Sequence, residues 1–148
     1  MKQTKRLLSL LLALCLIVGM FPVTVHAASN SCGENVTWSL NKKSGTLTIS
    51  GTGPMEEQEW DEYPWANEEV HAIVIEDGIT EISPNAFYQQ QELTSVTIAD
   101  SVKVIGDCAF QNCTDLPAVK LPNGLTTIGN EAFDSCSDLT EKIGRAHV

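Results

Sequence analysis

Apolar residues recur along this chain with a period far longer than any single helix or strand. Phe87, Phe110 and Phe133 stand 23 residues apart, and the apolar residues around them keep the same interval. Val70, Leu93, Leu116 and Leu139 share one position; Ile73, Val96 and Val119 follow three residues on, and Ile75, Ile98 and Leu121 two beyond that. Ile79, Val102 and Leu125, then Ile82, Ile105 and Ile128, then Ala86, Ala109 and Ala132 complete the set. Agreement in so many columns marks one supersecondary unit repeated. Such a unit cannot cover its own apolar face and must stack on its neighbours. The pattern predicts a β-rich solenoid whose phenylalanines form a single column along the axis.

Within a unit, Leu93-Thr94-Ser95-Val96-Thr97-Ile98 alternates as a short strand does, with Val96 and Ile98 inward and Thr97 outward. Asp77-Gly78, Asp100-Ser101 and Asn123-Gly124 then supply residues that accept tight or left-handed backbone, so the chain turns there. The second half, Ile105 to Cys113, places Ala109 and Phe110 among polar residues, which predicts one helical or 3₁₀ turn on the opposite flank.

The run from Ile105 to Pro122, Ile-Gly-x-x-Ala-Phe-x-x-Cys-x-x-Leu-x-x-Val-x-Leu-Pro, resembles the BspA-type leucine-rich repeat of bacterial surface proteins, and the resemblance covers residues 70–141. Cys32-Gly33, Trp38-Ser39-Leu40, Gly45 to Gly53 and Pro64-Trp65 also resemble the leader region of such proteins. The resemblance implies short parallel strands joined by 3₁₀ or helical turns, and attachment to host matrix, host cells or other microbes. One departure is local: the asparagine that usually ends the strand motif is replaced by Gly78, Ser101 and Gly124, so no asparagine ladder is expected.

The remaining segments divide the chain. Lys2, Lys5 and Arg6 precede an apolar run from Leu7 to Met20, and Val25-His26-Ala27 suits signal peptidase, so residues 1–27 read as a secretory signal and Ala28 as the mature start. The run is too short and wrongly flanked for a membrane span, and no second one follows. Residues 28–69 read as a cap and connection. Val36-x-Trp38-x-Leu40 and Leu47-x-Ile49 around Asn41 to Gly45 predict a β-hairpin that covers the first coil's apolar end. Residues 52–69 form an acidic connection whose Trp60 and Trp65 are expected to fold onto that cap rather than to stack on carbohydrate. Residues 70–141 hold three complete repeats and the start of a fourth. Lys142 stands where the repeat calls for an apolar residue, and Ile143 to Val148 breaks every column and resembles a translated sequencing adapter. Residues 142–148 are therefore expected to be a non-native tail on a truncated gene model, leaving the last coil's core uncovered.

Charge and chemistry narrow the function. Loss of the signal takes three of nine basic residues and none of nineteen acidic ones, leaving six against nineteen, a formal charge of −13. Nucleic acid is not expected as a partner. The acids of Glu56, Glu57, Glu59, Asp61 and Glu62 read as a solvated loop, since no calcium-loop spacing is present. Cys32, Cys108, Cys113 and Cys136 leave several disulfide pairings open. Cys113 and Cys136 share a column one coil apart, close enough for a bridge, although two small buried thiols are favoured there.

His71 is the single histidine between signal and tail, and neither a nucleophile elbow, an HExxH run nor a phosphate loop is present. No enzyme activity, metal or cofactor is expected. The reading is a secreted or cell-surface module that binds an extracellular protein or glycan on its outward strand positions, Val74, Thr97 and Lys120, flanked by Ala72, Ser95 and Ala118. The rival readings are a passive N-terminal spacer of a longer protein and an accessory module of an extracellular hydrolase.

Overall fold

The computed structural model describes residues 30–143. The expected signal sequence, residues 28 and 29, and residues 144–148 lie outside the described residues. The chain is a β-solenoid built from short strands: β1 (Ser31–Gly33), β2 (Val36–Asn41), β3 (Thr46–Gly51), β4 (Gly53–Pro54), β5 (Ala72–Ile75), β6 (Ile79–Ile82), β7 (Ser95–Ile98), β8 (Val104–Ile105), β9 (Ala118–Lys120), β10 (Thr127–Ile128) and β11 (Glu141–Ile143).

Each repeat contributes two strands rather than one. The first belongs to the main sheet, ordered β1-β2-β3-β5-β7, beside which β9 and β11 pair with each other; the second belongs to a sheet ordered β10-β8-β6-β4. The main-sheet strands after β3 are parallel and in register, Ile73 facing Val96 and Ile75 facing Ile98. That register puts like on like: Ile73, Ile75 and Val119 are buried, and Val96 and Ile98 are half-buried. The second strand runs through Ile82, Ile105 and Ile128, with Ile82 and Ile105 fully buried. It had no strand signal beyond one or two apolar residues and exists because the neighbouring coil supplies its partner. Burying each such side chain contributes about 1.5–3 kcal/mol.

On the third flank the expected turn is present as isolated i→i+3 bonds, Tyr88 N–H to Asn85 at 3.1 Å and Gln111 N–H to Cys108 at 3.1 Å, and among the described residues none extends into a helix. Backbone conformation is the reason. Asn85, Cys108 and Glu131 share one column and Gln89, Asn112 and Ser135 another, and all six have φ between 55° and 61°. A left-handed residue on either side of Ala-Phe stops a right-handed helix from propagating. The N–H groups freed from a helix point to the next coil instead: Asn85, Phe87 and Gln89 donate to the carbonyls of Asp107, Ala109 and Gln111 at 2.9, 2.8 and 2.9 Å. Cys108, Phe110 and Asn112 repeat the pattern one coil later. At the corners beside the strands the direction reverses, Lys103 N–H donating back to Thr80 and Gly106 N–H to Ile82, each at 2.8 Å.

The phenylalanines form one column, with ring centroids 5.2 Å apart from Phe87 to Phe110 and again from Phe110 to Phe133. The column continues into the cap: Trp65 stacks on Phe87 at 5.8 Å and meets Trp38 edge-on at 5.8 Å. The hairpin is the β2–β3 pair. Asn41 Oδ1 accepts from the Lys43 and Ser44 N–H groups in its turn, and Gly45, with φ of 64°, completes it. Gly51 has φ of 118° where β3 ends, and a Cβ there would collide with the Asn35 carbonyl. Strand β3 also pairs in parallel with β5, and Met55 N–H donates to the Glu81 carbonyl at 3.1 Å. Residues 46–69 thus wind once around the same axis as an irregular coil, with the acidic loop bulging from it.

Candidate functional site

The three outward positions belong to one longer row. Register places Ser39 opposite Thr48, Thr48 opposite Val74 and Val74 opposite Thr97. Strand β9, packed beside β7, carries Lys120 at the next step of the period. Thr97 and Lys120 are exposed and Val74 is half-buried. A second row runs alongside through Asn41, Thr46, Ala72 and Ser95. Neighbours along a row are about 4.8 Å apart and the rows about 7 Å, so the surface is flat and formed of short side chains. Strand alternation made the row legible from Val74 onward. Its extension to Thr48 and Ser39 requires the parallel β3–β5 pairing, which the sequence pattern does not display.

The structure gives separate fates to the two tryptophans of the connection. Trp65 is fully buried and its Nε1 donates to the Ala86 carbonyl at 2.6 Å, as the anchoring role requires. Trp60 does not fold onto the cap: it is 45 % exposed and meets Tyr88 edge-on at 5.7 Å. The flanking Glu59, Asp61 and Glu62 are exposed, and Trp60 stays at the surface between these solvated carboxylates. Tyr63 takes the inner place instead. It stacks on Trp65 at 5.3 Å, its hydroxyl donates to the Pro84 carbonyl at 3.0 Å, and burial pushes its pKa from 10.0 up to about 12.

Polar columns stitch the coils together in a way that the apolar pattern hid. Thr94, Thr114, Thr126 and Ser137 each donate a hydroxyl to a carbonyl 23 residues earlier, at 2.9–3.3 Å. A second column serves the aromatic carbonyls. Gln90 donates to Trp65 at 3.1 Å, Cys113 to Phe87 at 3.3 Å and Cys136 to Phe110 at 3.1 Å. Glutamine and cysteine do the same work at one column, a signal that composition alone does not reveal.

Among the titratable groups of the described residues, His71 Nδ1 lies 3.7 Å from Glu92 with both side chains largely exposed. Burial, ahead of Glu56, pushes the Cys32 thiol from 9.0 up to about 12. Desolvation and then the Glu131, Asp107 and Asp134 carboxylates raise Cys108, and contact with Cys136 followed by burial raises Cys113. Thiols held protonated are not primed nucleophiles. Among the described residues no group of three or more His, Cys, Asp or Glu side chains is placed to hold a metal, and no helix is long and apolar enough to cross a membrane. One cleft of about 230 Å³ is lined by Glu68, Glu69, Gln89, Gln91 and Glu92, and a wider one of about 450 Å³ lies against Ile128, Phe133 and Cys136.

A family model described as the BspA type leucine rich repeat region matches residues 58–144. The chain belongs to the BspA-type leucine-rich repeat family. Members of this family carry a repeat module whose fold serves protein interaction. The BspA-type coils are similar to a solved leucine-rich repeat protein from Eubacterium ventriosum, at 26% identity and a TM-score of 0.58, over 72% of this chain and 35% of that one. A leucine rich cell surface protein from Faecalibacterium prausnitzii matches at 31% identity and a TM-score of 0.49, over 51% of this chain and 20% of its own. The BspA-type chain thus spans about a third or less of these solved relatives. No curated protein matches it.

Proposed function

We propose that the protein is a secreted or cell-surface adhesion module that engages an extracellular protein or glycan on the outward row of its main sheet, with Val74, Thr97 and Lys120 at the centre. The carrying observation is the register, which aligns Ser39, Thr48, Val74 and Thr97 on a sheet that continues to Lys120. Flat, extended contact suits a macromolecule better than a small substrate. The charge supports a protein or glycan over nucleic acid: no lysine or arginine occurs between Lys43 and Lys103. Family membership supports the binding role, and the signal-like leader supports export.

The test is to screen the purified protein against immobilised matrix proteins, glycans and whole cells, then to repeat any positive result with Thr97→Glu combined with Lys120→Glu. The paired change is expected to weaken binding at least about tenfold, or about 1.4 kcal/mol. Undiminished binding by the double variant removes the row from the reading, and a uniformly negative screen favours the passive-spacer alternative.

A further inference from the structure

Outside the outward row, two thiols stand in one column across a coil boundary. Cys113 and Cys136 occupy one column, each pointing its sulfur toward the aromatic carbonyl of the preceding coil. The rings carried by the same two coils are 5.2 Å apart, which measures the local coil spacing. A disulfide requires Cα atoms about 4.4–6.8 Å apart and Cβ atoms about 3.5–4.5 Å apart. Coils stacked at this spacing meet the first condition and come within about 1 Å of the second. Cys136 is also the largest influence on the protonation of Cys113, ahead of burial.

We propose that Cys113 and Cys136 are an oxidisable pair which a small disulfide oxidant converts into a covalent bond between adjacent coils. Entry is through Cys136, which is half-buried and lines the wider cleft with Ile128 and Phe133, whereas Cys113 is fully buried. The Cys136 thiolate attacks one sulfur of the oxidant, breaking its S–S bond and releasing one thiolate. The Cys113 sulfur then gives up its proton and attacks the Cys136 sulfur of the mixed disulfide, forming the Cys113–Cys136 bond and releasing the second thiolate. The two protons shed by the protein leave on the two released thiols, and two electrons pass from the pair to the oxidant. The Phe87 and Phe110 carbonyls lose their sulfur donors in exchange for a bond that closes a loop of coil length.

Geometry selects this pair over the others. Cys32 lies at the opposite end of the stack, where its carbonyl accepts from Glu56 N–H. Cys108 sits in the left-handed turn position facing the Asp107, Glu131 and Asp134 carboxylates. The buried, protonated state of Cys113 makes the second step slow, so sub-denaturing urea that loosens the last coils accelerates it.

The test incubates the purified protein with oxidised glutathione, alkylates the remaining thiols and maps peptides by mass spectrometry. The expected product has lost two hydrogens, about 2 Da, carries one cross-link joining Cys113 to Cys136, retains alkylated Cys32 and Cys108, and melts at a higher temperature than the reduced protein. Cys113→Ser, whose hydroxyl still reaches the Phe87 carbonyl, is expected to stop at a glutathione adduct on Cys136. A lasting adduct on Cys136 in the unsubstituted protein, a cross-link through Cys108, or four thiols still alkylated after urea-assisted oxidation overturns the proposal.

Discussion

The two ends of the aromatic column obey different rules. At the N-terminal end Trp65 is fully buried, stacked between Phe87 and Tyr63 and capped edge-on by Trp38. At the other end Phe133 stacks on Phe110 and is 9 % exposed, and Ile128 is 46 % exposed while its counterparts Ile82 and Ile105 are wholly buried. Identical residues in identical columns thus differ in burial because a coil's interior is completed by its neighbours on both sides. What the N-terminal end adds is chemistry that cannot be repeated: an indole N–H, a phenol and a hairpin.

The largest expected effect separates the middle of the column from its end. Phe110→Ala is expected to destabilise by about 3–5 kcal/mol in urea unfolding, and Phe133→Ala by about half as much, because the first leaves a cavity between two rings and the second opens to an existing cleft. Equal losses would show that Phe133 is covered as completely as Phe110.

A smaller effect tests the phenol of the cap. Tyr63 is raised from 10.0 to about 12 by burial. A group whose folded value lies above its unfolded one supports the fold fully below the unfolded value and loses that support as pH climbs through the folded one. Thermal stability should therefore decline from near pH 10 toward pH 12, and Tyr63→Phe should flatten that part of the profile. An unchanged slope in the variant would mean that Tyr63 ionises as readily in the fold as in the open chain.

The smallest effect concerns Trp38, whose Nε1 is buried with no hydrogen-bond partner among the described residues. Trp38→Phe removes that donor while keeping a ring against Trp65, so its effect should lie within about 1 kcal/mol and toward stabilisation. A loss above about 2 kcal/mol in chemical denaturation would reveal a partner for the indole N–H.

Much of this architecture was legible because apolar columns encode burial directly. The alternation from Val36 to Leu40 and from Leu47 to Ile49 located the hairpin, and the 23-residue interval located the phenylalanine column and the main-sheet strands of the repeats. It did not reveal that residues 46–69 form a coil, because the acidic loop shifts the spacing: Thr46 pairs with Ala72, 26 residues on, while Trp65 stacks on Phe87, 22 residues on. Nor did it reveal the left-handed residues, since Cys108, Glu131 and Gln89 carry no side-chain signal for positive φ. The outward row was legible as a face but not as a site. Threonine, serine and alanine satisfy a solvated sheet and a binding surface equally well, so only a partner distinguishes the two.

The opposed donor directions on the two flanks carry a consequence for the field around the molecule. Along the Phe87 flank the amide protons aim toward the later coil, whereas at Lys103 and Gly106 they aim toward the earlier one. Peptide dipoles on opposite sides of the axis therefore subtract rather than add, unlike those of a long helix. Lengthening such a stack adds less axial polarity than the same number of peptides in a helix would, and ionised side chains weigh more in the electrostatic character of either end.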